Sequence, residues 1–280
     1  MRAKADVQDD ASLAALETEL LAQGIYRRWG FDLRDYEPAW LGKLAASRVA
    51  AEGLRSRSEL LERVLRDRAV LQRFLAAAGG AGHGLFEPPA FWRTLRRKVL
   101  PYLRTYPSVR VWQMGADPAE LSSLCILLKE DFPRNVRTYA TGLCDEVVER
   151  ARAGALPSAS VTGAGAGYRR SGGRGRLARW FNTRNGTSVL SEDLRRPVVF
   201  AAHHAATDAP FQRFHVILAR GALAPLAGAL RERTLRLLHE SLLPLGFLAL
   251  RPRDSLRGTP LEGLYASVDR ATGLLQKVKT

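Results

Sequence analysis

The residues of this chain best suited to chemistry lie in "VRVWQMGADPAEL", residues 109–121. An apolar run ends at Gly115, then Ala116 and Asp117 follow, and Glu120 comes three residues after the aspartate. A strand that runs into a glycine and then into an acidic helix start is how many α/β folds present a nucleotide-like cofactor, because the glycine lets backbone approach the ligand. The helix dipole favours a carboxylate at Glu120. Asp117 has the position of a helix N-cap.

Other constellations are weaker. "TGAGAGY", residues 162–168, spells alternating glycines, but no convincing strand precedes it and arginines follow, so it reads as a flexible loop and not as a dinucleotide fingerprint. The adjacent "YRRSGGRGRLARWF" interleaves arginine with aromatic residues, a composition able to clasp phosphates while stacking bases. A solvated loop of a basic protein is the reading preferred over it. His203 and His204 are neighbours on an expected strand and so face opposite sides, which makes them poor partners for one metal ion. Cys125 and Cys144 lack the spacing of a zinc site or a disulfide framework and read as two buried thiols. No metal site is expected.

The elements that must position these residues divide into two parts. The chain has 280 residues, 46% of them hydrophobic, enough for a core in one large domain or two modest ones. A net charge of +15 favours acidic or polyanionic partners. The charged start "MRAKADVQDD" and the lack of any run near the ~20 apolar residues of a membrane span point to a soluble, cytoplasmic protein without membrane insertion. Up to about residue 80 the periodicity is helical throughout: Ser12 to Leu21 with Gly24 as its stop, about Tyr36 to Glu52, about Ser58 to Arg66, and "AVLQRFLAAAG". "GGAGHG" then reads as a flexible link.

From residue 81 the pattern changes. A helix is expected from Pro88 to Arg104. Strands at Val109–Met114 and Val136–Thr141 alternate with helices at Pro118–Lys129 and Asp145–Ala153, Asp145 capping the latter. "PVVFAA", "FHVILA" and "GFLALR" read as buried strands and Ala227 to Leu242 as a helix. Near-continuous apolar strands separated by helices predict a mainly parallel sheet covered on both faces. "GLYASV", "DRAT" and "GLLQKV" predict a closing hairpin, so the last strand runs antiparallel. The expected class is therefore α/β, a mainly parallel seven-stranded sheet with a reversed last strand. That arrangement looks like the S-adenosylmethionine-dependent methyltransferase fold, here preceded by a small all-helical domain. The Gly-, Ser- and Arg-rich residues 154–196 are an insertion or a small subdomain within it.

Seven segments in order resemble the CheR-type chemotaxis receptor methyltransferases, protein-glutamate O-methyltransferases. They are "GFDLRDYEPAWLGKLAASRVAAEGLRSRSELLERVLRD", "EPPAFWRTL", "VRVWQMGADPAEL", "RTYATGLCDEVVERARAG", "VVFAAHHA", "FHVILARGALAPL" and "LLPLGFLALRPRDSL". The resemblance implies S-adenosylmethionine as methyl donor and a chemoreceptor, or another signalling protein, as partner. Nucleic acid is a possible partner but not the favoured one. The resemblance places Arg93 beside the transferring methyl group and the acceptor carboxylate, where a guanidinium fork can orient one oxygen. It places Gly115, Ala116, Glu120, Gly142, Leu143, His204, Ala205 and Arg220 around the cofactor, Glu120 at its charged end.

The departures fall on the same positions. Glu87 and Pro89 replace the family's Asn and Thr, Gly142 replaces the aspartate that accepts ribose hydroxyls, His204 and Gly221 each replace an Asn, and Pro225 stands where the family has Tyr. The helix the family uses near the receptor keeps only Lys43 and Arg48 as cations. Two functions follow from the resemblance: a CheR-like methyltransferase of receptor glutamates whose transfer is lost or altered, or a non-catalytic scaffold or binding module of the same fold.

Overall fold

The protein is described here by a computed structural model covering residues 2–78, 84–132, 135–203 and 208–279, with side chains from Asp10 onward. His204 and Ala205 lie outside the described residues. The chain divides into two compact units, residues 1–78 with 224–233, and residues 79–223 with 234–280.

The first unit is built from helices α1 (Arg2–Trp29), α2 (Pro38–Ala51), α3 (Arg57–Arg66) and α4 (Arg68–Ala78). Leu21, Ile25, Leu60, Val64 and Phe74 are fully buried in its core, the apolar stripes that helical periodicity places on one face of each element. Ser56 caps α3 by accepting from the Glu59 amide at 3.1 Å. Gly24 does not stop the first helix, contrary to the sequence expectation. A Cβ there would lie 2.8 Å from Leu61 Cδ1, so the glycine lets α1 approach α3 closely. The helix ends instead at Gly30, whose φ of +80° suits a residue without a side chain and whose amide donates to Tyr26 O at 2.9 Å. Residues 224–233 return to this unit through a bridge pairing Tyr36 with Leu226.

The second unit opens with α5 (Pro89–Thr94), a π-helical turn (Leu95–Val99) and α6 (Leu100–Leu103). Next come β1 (Val109–Met114), α7 (Pro118–Asp131), β2 (Val136–Gly142) and α8 (Asp145–Ala153). An inserted portion follows: β3 (Ala155–Pro157), α9 (Ser158–Gly163), α10 (Gly165–Arg170), β4 (Phe181–Arg184), β5 (Thr187–Leu190) and α11 (Glu192–Arg195). The main sheet resumes with β6 (Val198–Ala202) and β7 (Phe214–Leu218). It continues past α12 (Gly228–Ser241) to β8 (Leu242–Ala249), β9 (Tyr265–Asp269) and β10 (Leu274–Lys277). Strand order in this sheet is β6-β2-β1-β7-β8-β10-β9. The β6, β2, β1, β7 and β8 pairings are parallel, while β10 is antiparallel to both its neighbours. This is the predicted mainly parallel seven-stranded sheet with its reversed last strand. Val109, Val111 and Trp112 of β1 and all of β7 are buried, as strands covered on both faces must be, whereas β6, expected to be a buried strand, lies at the sheet edge with none of its residues buried.

The insertion carries a separate three-stranded antiparallel sheet, order β3-β5-β4. "TGAGAGY" is not a loop, as its glycines suggested, but falls largely within α9 and α10. Tertiary packing overrides composition here: Tyr168 is fully buried, its hydroxyl donates to Glu130, and its ring covers Gly173, where any Cβ would collide with it. Arg96 pairs with Glu130 at 2.7 Å and with Asp131, Arg179 with Glu130 at 3.1 Å, and Arg174 with Asp131. The basic segment is thus fastened to the C-terminus of α7.

Candidate functional site

The site begins where β1 ends. Gly115 has φ +102°, a conformation that costs a glycine little, and its amide donates to Thr141 O at 2.8 Å, extending the β1–β2 ladder by one residue. Ala116 follows with φ +46° and is fully buried. A non-glycine residue held in this region is strained by about 1 kcal/mol or more, and such strain collects at functional turns. Asp117 then caps α7, accepting from the Glu120 amide at 2.7 Å, as the sequence predicts. Asp145 does not cap α8. Cys144 holds the cap position without a side-chain bond, and Asp145 is the first helical residue, where its charge faces the positive helix end.

Glu120 is 1% exposed. Its Oε1 accepts from Arg220 Nη1 at 3.0 Å and its Oε2 from Gln113 Nε2 at 3.0 Å. Arg220, immediately beyond β7, also donates to Glu87 O at 3.2 Å and lies 4.0 Å over the Phe91 ring. Burial pushes the Glu120 carboxyl pKa up and the Arg220 pKa down, in each case against the attraction of the partner. Desolvation outweighs the ion pair, the usual balance for buried charges. Asp117 is likewise raised by burial. Gln113 was not singled out in the sequence, although an amide inside an apolar strand was a signal. Its Oε1 is buried and has no hydrogen-bond partner among the described residues.

The end of β2 differs from the turn beside it. Gly142 is buried, and a Cβ there would lie 2.8 Å from Val147 Cγ1, 3.0 Å from Val147 Cβ and 3.2 Å from Val148 Cγ2. Leu143, half-buried, begins the turn into α8. Gly221 has φ +92°, and its missing side chain is overlain by the Arg251 guanidinium, with Nη2 2.7 Å from the Cβ position. The charge of Arg251 also acts to lower the Arg220 pKa. Arg251 was not marked in the sequence, being one arginine among many.

Arg93 stands two residues after Phe91 on α5. Two residues along a helix project to different sides, and Arg93 is exposed where Phe91 is buried beneath Arg220. It makes no ion pair with a described residue. The structure therefore brings Gly115, Ala116, Glu120, Gln113 and Arg220 together, sets Gly142 and Leu143 on the neighbouring strand end, and leaves Arg93 at the surface. Among the described residues there is no cluster of three metal-ligating side chains, and no helix is long and apolar enough to cross a membrane.

A parallel sheet whose carboxyl edge carries a glycine turn, a buried glutamate and a helix start, closed by a reversed last strand, defines a methyltransferase-type α/β protein. Residues 84–263 match the family described as the CheR methyltransferase, SAM binding domain. The chain belongs to the CheR methyltransferase family, and S-adenosylmethionine is the cofactor of this domain. A Pseudomonas putida protein that carries the name Cher3 and a provisional description as a methyltransferase is 31% identical over 244 residues, 86% of this chain and 89% of that protein. A larger Rhodobacter capsulatus protein, an uncharacterized one of 104.1 kDa, is 25% identical over 79% of this chain but only 24% of its own length. Among solved structures, a methyltransferase from Geobacter sulfurreducens in complex with S-adenosylhomocysteine is 17% identical. It covers 64% of this chain and 54% of that one at a TM-score of 0.35, a likeness too slight to argue from.

The turn fits such a cofactor in that Gly115 permits close backbone approach; Glu120 and Arg220 beside it carry one charge of each sign but are paired with each other and buried, so a zwitterionic amino-acid end would have to part them to use either. Gly142 offers nothing to a ribose.

Proposed function

We propose that this protein binds S-adenosylmethionine and methylates glutamate carboxylates of a signalling protein, by resemblance a chemoreceptor. The observation that carries the reading is the Glu120–Arg220 pair held buried beside the Gly115 turn at a desolvation cost. When bound, the cofactor would supply an electrophilic methyl group, which an ionised carboxylate attacks without help from a base. The protein's work is then positioning and electrostatics. Arg93, exposed on α5, and Arg251, lying over Gly221, are the cations proposed to receive the acceptor carboxylate.

The decisive assay uses methyl-labelled donor and purified cytoplasmic segments of chemoreceptors. Label released as methanol by mild base, and lost in Arg251→Ala or Arg93→Ala protein that still binds S-adenosylhomocysteine, supports the reading. Donor binding without any transfer to these acceptors favours a second reading, a signalling scaffold that keeps the fold. One observation speaks for that alternative: of the two cations kept on α2, Lys43 is exposed but Arg48 is tied to Glu52.

A further inference from the structure

The end of β2 decides which part of the cofactor this protein can read. In folds that hold a nucleoside at the carboxyl edge of a parallel sheet, a carboxylate at the end of the second strand accepts the ribose hydroxyl protons, and this is what tells ribose from deoxyribose. Here that place holds Gly142, and the room is taken. Val147, from the first turns of α8, would stand 2.8 Å from any Cβ at position 142, and Val148 would stand 3.2 Å from it. Both valines are buried. The glycine is therefore required by the packing of α8 against β2, and no acid can return to position 142 unless α8 is moved or trimmed. Among the described residues, Thr141 accepts from Trp112 Nε1 at 2.8 Å, Asp117 is engaged in capping α7, and the nearest acids along the chain, Asp145 and Glu146, lie in the first turn of α8.

We infer that the site is blind to the ribose diol. It recognises its cofactor at the amino-acid end, through Glu120 and Arg220, and tolerates nucleosides altered at the 2′ and 3′ positions. The inference rests on the cofactor reading and adds the specificity to it. A protein site that hydrogen-bonds a hydroxyl rejects the analogue lacking it by several orders of magnitude. A site with no partner for the hydroxyl is indifferent to its removal.

The test is calorimetric titration of the full chain with S-adenosylhomocysteine and with its 2′-deoxy and 2′,3′-dideoxy analogues. Dissociation constants equal within about threefold are expected, since a lost charged hydrogen bond costs about tenfold or more. A second protein, Gly142→Asp with Val147→Ala and Val148→Ala, removes the contacts with Val147 Cγ1 and Val148 Cγ2 and is expected to prefer the ribose form about tenfold or more. Its fold is checked by circular dichroism. Wild-type protein that already prefers ribose tenfold overturns the inference while leaving the cofactor reading intact, and loss of that preference in Glu146→Gln or Asp145→Asn would identify the acid responsible. Binding of none of the three ligands overturns both.

Discussion

Two regions of the second unit hold buried carboxylates against arginine, and they use them differently. At the Gly115 turn one acid, Glu120, meets one guanidinium and one amide, all nearly inaccessible. At the end of α7, Glu130 and Asp131 share Arg96, Arg174 and Arg179, and the last two reach out to solvent. The second arrangement ties an insertion to the domain and answers a structural need. The first joins residues a hundred positions apart, Glu120 in α7 and Arg220 after β7, sits beside a strained alanine, and is held against desolvation. Under the proposed function it is this pair that serves the cofactor.

The largest effect that tests this contrast is in Glu120. Glu120→Ala removes the buried carboxylate paired with Arg220 and is expected to destabilise the protein by about 3–5 kcal/mol in urea unfolding. The double replacement Glu120→Leu with Arg220→Met removes both charges and is expected to lie within about 1 kcal/mol of wild type, or above it, while abolishing S-adenosylhomocysteine binding. A double variant as unstable as the single one would make the pair structural and erase the contrast. Next comes Glu130→Gln, which weakens the hold on Tyr168, Arg96 and Arg179 at once. It is expected to cost about 2–3 kcal/mol and to expose residues 165–184 to limited proteolysis, with cofactor binding unchanged.

A smaller effect is one of pH at the first region. Because burial raises the Glu120 pKa, the folded protein binds that proton more readily than the unfolded chain. The stability this contributes is complete below the unfolded carboxyl pKa of about 4.3 and is lost as pH rises through the folded value. Glu120→Gln should flatten that part of the stability profile. The smallest expected change is in Arg174→Ala, an exposed member of the network: about 0–1 kcal/mol, diminishing with added salt.

Much of the fold was legible because apolar periodicity is a local signal. The strands at 109–114, 136–142 and 214–218, their intervening helices and the closing hairpin announce themselves by alternation and turn residues. Glycine was the least reliable sign, since three different causes share one letter. Gly30 ends a helix, Gly24 lets one helix approach another, and Gly173 lies under a tyrosine ring. The arginines of "YRRSGGRGRLARWF" were legible as charge but not as structure, because their partners Glu130 and Asp131 lie some forty residues earlier.

The sequence by itself determined the class of sheet, the glycine turn with its N-cap, and the family, since each is written in neighbouring residues or in their order. Only the tertiary structure decided what the charged residues do. It paired Glu120 with Arg220 a hundred residues away, laid Arg251 over Gly221, placed Arg93 in solvent and filled the space at Gly142 with two valines. Burial and close approach depend on the whole packed chain, and they set both the cost of a charge and the room left for a ligand.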